Sequence, residues 1–131
     1  MTFRELVDAI VRERGWTLGG DRDRAILSVP QGNGRQQSVT LFEFSDAGEP
    51  MVRFVSRIGG ADALHGTRLR SALELNLRLP HGCLAVDGEH LVMTDTRPLR
   101  TTTPASSGDA IQFIARQADF YEKSIFGTDV H

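Results

Sequence analysis

The chain has one cysteine, Cys83, one tryptophan, one tyrosine, and 15 basic residues of which only Lys123 is a lysine. A lone thiol cannot form an intramolecular disulfide, so an apolar core must hold the fold, and a reducing compartment is expected. Cys83 opens an apolar run and reads as a small buried hydrophobe ahead of a nucleophile. No stretch approaches the ~20 consecutive apolar residues that cross a bilayer, so no membrane partner is expected. The opening segment MTFRELVDAIVRERG is charged within its first residues and never builds the apolar core of a secretory signal. A cytoplasmic location is the expectation. Charge of one sign is missing too: 15 basic residues against 17 acidic ones give a net charge of −2. Such a balanced surface attracts phosphate backbones weakly, and nucleic-acid binding is not expected.

What remains is ordinary globular material. The 131 residues, 40% hydrophobic and 24% charged, suit a single domain over residues 1–131, with residues 127–131 as a frayed tail. A domain of this length buries roughly 65–70% of the surface its unfolded chain exposes, enough for one core without metal. Thr2 and Glu5 predict a capping box for a helix over Thr2–Arg14, stopped by Gly15, with Phe3, Leu6, Val7, Ile10 and Val11 as its apolar stripe. Short strands are predicted at Trp16–Leu18, Arg24–Val29, Gln37–Phe44 and Met51–Ile58, with turns at Gly32-Asn33-Gly34 and Asp46–Pro50. In the last of these strands Val52, Phe54 and Ile58 share one face, while Arg53 and Arg57 share the other with Met51 and Val55. A middle helix is expected between Ala61 and Leu79, weakened by Gly66 and ended by Leu79-Pro80 and Gly82. Cys83–Val86 and Leu91–Thr96 then flank Asp87-Gly88, a strong hairpin signal. Thr101–Gly108 reads as a flexible connector before a final helix from Asp109 to about Phe126. The order is α+β: an antiparallel sheet of about five to six strands with three helices.

Reaction chemistry is hard to find. Gly19-Gly20 and Gly32-Asn33-Gly34 read as turns and lack the Lys-Ser/Thr of a phosphate loop. Asp21 and Asp23 lack the further ligands of a calcium loop. His65, His81, His90 and His131 are scattered, and neither the hairpin tip at Asp87, Glu89 and His90 nor the tail at Asp129 and His131 has metal-site spacing. Ser28, Ser38, Ser56 and Ser71 have no nucleophile context. No cofactor, metal or catalytic residue is expected, and the chain reads as non-enzymatic.

Interfaces are better signalled. In the final helix Ile111, Ile114, Ala115, Ala118 and Ile125 form one stripe, while Phe113 and Phe120 align about 140° away from it. A helix apolar on two sides either lies between layers or offers one side to a partner. In the middle helix Leu73, Asn76 and Leu77 share a side, which places an amide in an apolar stripe. Leaving that amide buried and unpaired would cost on the order of 1–3 kcal/mol, so it must bond either to nearby backbone or across a subunit interface. The Arg53/Arg57 face is either solvated or meets an acidic partner. Phe113, Phe120, Leu77, Asn76, Arg53 and Arg57 are therefore the candidate interface residues.

The run LxLNxxLPxGxLAVDGExLVMTDTxPL over Leu73–Leu99 resembles the signature of type III secretion chaperone-like proteins, the CesT/Tir-chaperone group and the related YbjN-domain family. The closing IARQADFYEKSIFG over Ile114–Gly127 is similar to the last helix of the YbjN branch. The resemblance implies a compact, non-enzymatic α+β domain, often homodimeric, that binds a protein client through apolar patches. It carries no fixed functional residue. The alternative is a small-molecule-binding or stress-related regulatory domain of the same fold, which predicts a closed pocket of a few hundred Å³.

Overall fold

The capping box forms: Thr2 Oγ1 accepts the Glu5 N–H at 3.1 Å and the Glu5 carboxylate accepts the Thr2 N–H at 3.0 Å. It starts α1, Phe3–Arg14, which ends where Gly15 turns left-handed at φ 70°. This is a computed structural model that describes residues 1–21 and 23–126, the side chains of residues 63, 125 and 126 excepted.

Six strands follow in one sheet: β1 (Thr17–Gly20), β2 (Arg24–Gly32), β3 (Arg35–Asp46), β4 (Glu49–Gly60), β5 (Cys83–Asp87) and β6 (His90–Pro98). Their spatial order is β1-β2-β3-β4-β6-β5, and every neighbouring pair is antiparallel. Between β4 and β5 lie a 3-10 turn, Ala61–Ala63, and α2, Thr67–Leu75. After β6 and a second 3-10 turn, Leu99–Thr101, α3 runs over Pro104–Tyr121 and continues into a π-type turn, Glu122–Phe126.

One face of the sheet carries the core. Alternation puts Ala25, Leu27 and Val29 of β2, Val39 and Leu41 of β3, Val52 and Phe54 of β4, and Leu91 and Met93 of β6 on that face, all buried. Leu6, Val7 and Ile10 of α1 and Ile111, Ile114, Ala115 and Ala118 of α3 cover it. Each large side chain sequestered this way stabilises the fold by about 1.5–3 kcal/mol. Ser56 breaks the apolar alternation of β4 yet is fully buried. It is satisfied there: its hydroxyl donates to Ser38 O and accepts from Gln37 Nε2, both at 2.9 Å, while Gln37 also donates to Arg57 O. Arg14 ties α1 to α3, donating to Asp109 at 2.7 Å, to Gln112 and to the carbonyl of Ala105.

The Arg14 hydrogen bond, and secondarily its charge, hold the Asp109 carboxyl below the usual aspartate range. A group depressed in the folded state contributes stability above its unfolded pKa and loses it as pH falls through the folded value. Acid titration of thermal stability should therefore show a steeper decline below the ordinary aspartate range in the native chain than in Asp109→Asn. Because Asp109 is exposed, the difference should be small and should shrink in salt.

The structure departs from the sequence reading at four places. Gly19 and Gly20 end β1, paired with Ile26 and Ala25, and are not a separate turn. Gly66, at φ 59°, sits before α2 and divides the expected long helix, which ends at Leu75 in three i→i−3 bonds through Arg78. The hairpin loop is Gly88-Glu89, because Asp87 already pairs with His90; Gly at the first loop position with φ 61° supplies the backbone that a two-residue loop demands. The supposed connector is the start of α3: Thr103 and Ser106 form a reciprocal cap and Pro104 occupies the first helical position. Residues 127–131, with Asp129 and His131, lie outside the described residues.

Candidate functional site

Among the described residues, the second face of the sheet is covered by no helix. Along β2 it presents Arg24, Ile26 and Ser28; along β3, Ser38, Thr40, Phe42 and Phe44; along β4, Met51, Arg53, Val55 and Arg57. β6 adds Val92, Thr94 and Thr96, and β5 adds Cys83 and Ala85. All of these except Ser28, Phe44 and Met51 line a trough of about 910 Å³.

Register arranges the floor in transverse rows. Ile26, Thr40, Val55, Thr94 and Cys83 are successive cross-strand partners and give a largely apolar centre. Beside it runs the row Arg24, Phe42, Arg53 and Thr96. The Arg24 guanidinium lies 4.6 Å from the Phe42 ring centre, and that of Arg53 lies 4.4 Å from Phe44. Arg53 Nε also donates to Thr96 Oγ1 at 2.9 Å. Stacking and hydrogen bonding hold these cations in fixed places while covering the aromatic faces, each contact contributing about 0.5–1 kcal/mol at such exposed sites. On the other side of the centre, Arg57 is exposed next to Val92 and Ala85. Thr94 Oγ1 is buried and has no hydrogen-bond partner among the described residues.

Of the residues singled out from sequence, Arg53 and Arg57 belong to this face. The other four are elsewhere and do not converge with them. The Asn76 amide bonds to the domain's own backbone: its Oδ1 accepts the Leu84 N–H at 2.7 Å and its Nδ2 donates to Leu84 O at 3.2 Å. It therefore plugs the outer edge of β5, an edge position in the sheet. Leu77, in the turn after α2, is 89% exposed, and Leu69 and Leu73 beside it are exposed as well. Phe113 and Phe120 part company. Phe113 packs against the core, edge-on to His81 at 5.5 Å and under Arg116, whereas Phe120 is 58% exposed beside Tyr121. Phe113→Ser should accordingly lower stability by about 1–2 kcal/mol, while Phe120→Ser should stay within about 0.5 kcal/mol of the native chain in denaturant unfolding.

Sequence reasoning missed Arg24, Ile26, Phe42, Phe44 and Thr94. A signal was present: Val39 and Leu41 alternate with Thr40 and Phe42, so strict period-two reading puts both phenylalanines opposite the core. Among the described residues no group of three His, Cys, Asp or Glu side chains could hold a metal ion, and no helix is long and apolar enough to cross a membrane.

No family model matches this sequence, and no curated protein sequence does. A solved structure is similar in fold: a chain in the structure of the HopA1–SchA chaperone–effector complex superposes with a TM-score of 0.65 at 11% identity. The similarity covers 92% of this chain and 93% of that one. The α+β sheet with three helices is thus a chaperone-like fold over nearly its whole length.

Proposed function

We propose that this chain is a non-enzymatic, single-domain protein-binding module that resembles the type III secretion chaperones and the YbjN-domain proteins. The observation that carries the reading is the uncovered face of the sheet, where Ile26 and Val55 give a largely apolar centre bordered by fixed arginines. A partner's apolar side chains would bury themselves on that centre. The similarity to a chain from a chaperone–effector complex supports a protein as the occupant. A bacterial, cytoplasmic setting fits the same reading.

The test is affinity capture with quantitative mass spectrometry, comparing the native chain with Ile26→Asp/Val55→Asp. Two carboxylates at the centre should weaken capture of a true partner by about thirtyfold or more, the effect of losing an interface hot spot. Ile26 is exposed and Val55 half-buried, both on the face opposite the core, so the double variant should remain folded with its thermal unfolding lowered only modestly. Equal capture by the two proteins would count against the face as the site.

The exposed leucines of α2 and of the turn after it support homodimerisation, since Leu69, Leu73 and Leu77 recur every fourth residue at 43%, 60% and 89% exposure. Light scattering should then return about twice the 14.4 kDa chain mass, and 14.4 kDa at every concentration would contradict it. The second reading, a small-molecule site, expects a closed pocket of a few hundred Å³, whereas the trough is larger and open. A thermal-shift screen with metabolites separates the two, because only that reading expects stabilisation by a small ligand.

A further inference from the structure

We infer that the open sheet face recognises an extended, acidic segment of its protein partner, with the pattern acidic-x-apolar-x-acidic lying along β4; this rests on the protein-binding reading above. The argument begins with charge. The chain as a whole is acidic, at −2, yet its trough is lined by Arg24, Arg53 and Arg57 against one carboxylate, Asp87. Five arginines elsewhere, Arg14, Arg35, Arg70, Arg97 and Arg100, pair with carboxylates, whereas Arg12, Arg68, Arg78 and Arg116 form no ion pair among the described residues but are scattered over the helices and the turn after α2. The three trough arginines make no ion pair among the described residues. A local cation excess without internal counter-charges is complementary to an anionic partner.

Spacing narrows the class. Arg53, Val55 and Arg57 alternate on β4 and share the open face, so the Cα atoms of the two arginines lie ~13 Å apart with an apolar residue between them. An extended segment has the same repeat and directs residues i, i+2 and i+4 to one side, again over ~13 Å. Carboxylates at i and i+4 would meet Arg53 and Arg57, and an apolar side chain at i+2 would sit on Val55. Arg53 is pre-positioned by Phe44 and Thr96, which reduces the ordering cost of binding. Nucleic acid fits less well. Phe42 and Phe44 are covered by guanidinium groups and so are not free platforms for bases, and three cations are few for a phosphate backbone.

Panning a random-peptide display library on the intact chain tests this. Enriched peptides should carry two acidic residues four positions apart around an apolar one, and their synthetic forms should bind about tenfold more weakly to Arg57→Glu and lose affinity in salt. Arg57→Gln, which removes the charge without reversing it, should give a smaller loss and guards against misfolding of the first variant. Enriched peptides that are neutral or basic, yet are blocked by Ile26→Asp/Val55→Asp, would overturn the acidic specificity and leave the protein-binding reading standing. No enrichment at all would overturn both. Anisotropy with a single-stranded oligoribonucleotide provides the last arm: binding that competes with the peptides and depends on Arg57 would overturn the proposal in favour of nucleic acid.

Discussion

Gly82→Ala should destabilise the chain by roughly 3–5 kcal/mol, close to what a domain of this size can lose and still fold. Gly82 joins the segment after α2 to β5 at φ 66°, a left-handed backbone that costs a side-chain-bearing residue about 1–2 kcal/mol. The larger effect is steric. A Cβ there would lie 2.4 Å from the Thr94 carbonyl oxygen and 3.3 Å from Ile114 Cγ2, so it would push β6 and α3 apart at the point where both touch the core. Gly66 is the internal comparison: at φ 59° and ψ −129° it also needs a backbone that favours glycine, but a Cβ added there would meet nothing within 4 Å, so Gly66→Ala should carry the backbone strain alone, about 1–3 kcal/mol. Urea unfolding of the two variants separates backbone strain from collision. Equal losses would show that β6 yields at no cost.

Asn76→Ala should cost about 2 kcal/mol, a large effect for a partly exposed polar residue. The amide completes both outward-facing backbone groups of Leu84, whose side chain is buried. Losing it leaves two strand-edge groups to water or to another chain. The β5 amides should exchange hydrogen faster in the variant, and the protein should associate more readily at high concentration. Asn76→Asp keeps the acceptor and loses the donor, so it should fall between the two. Unchanged exchange at Leu84 would contradict the assignment.

The elements themselves were legible because their signals are local. Thr2-x-x-Glu5 with Gly15 bounds α1, and alternation across Met51–Ile58 places Arg53 and Arg57 opposite Val52 and Phe54. The misreadings arose where local chemistry was ambiguous. TTTPASSG has the composition of a linker, but Thr103 followed by Pro104 is also a helix start, and packing of Ala110 and Ile111 on the core decides for the helix. Phe113 and Phe120 share a helical side, yet His81 and the core edge reach only the first. Periodicity states which residues share a face; it cannot state what lies across from it. The same limit hid the trough, since recognising Phe42, Arg24 and Ile26 as one surface requires knowing that both α1 and α3 cover the opposite face.

The most direct measurement is a backbone-amide NMR titration of the chain with a bound partner segment. Shifts concentrated at Ile26, Thr40, Val55, Arg57 and Thr94, across four neighbouring strands, are the expected result. Shifts confined to α1 and α3, with those five positions unmoved, would contradict the assignment of the bare sheet as the place where a partner sits.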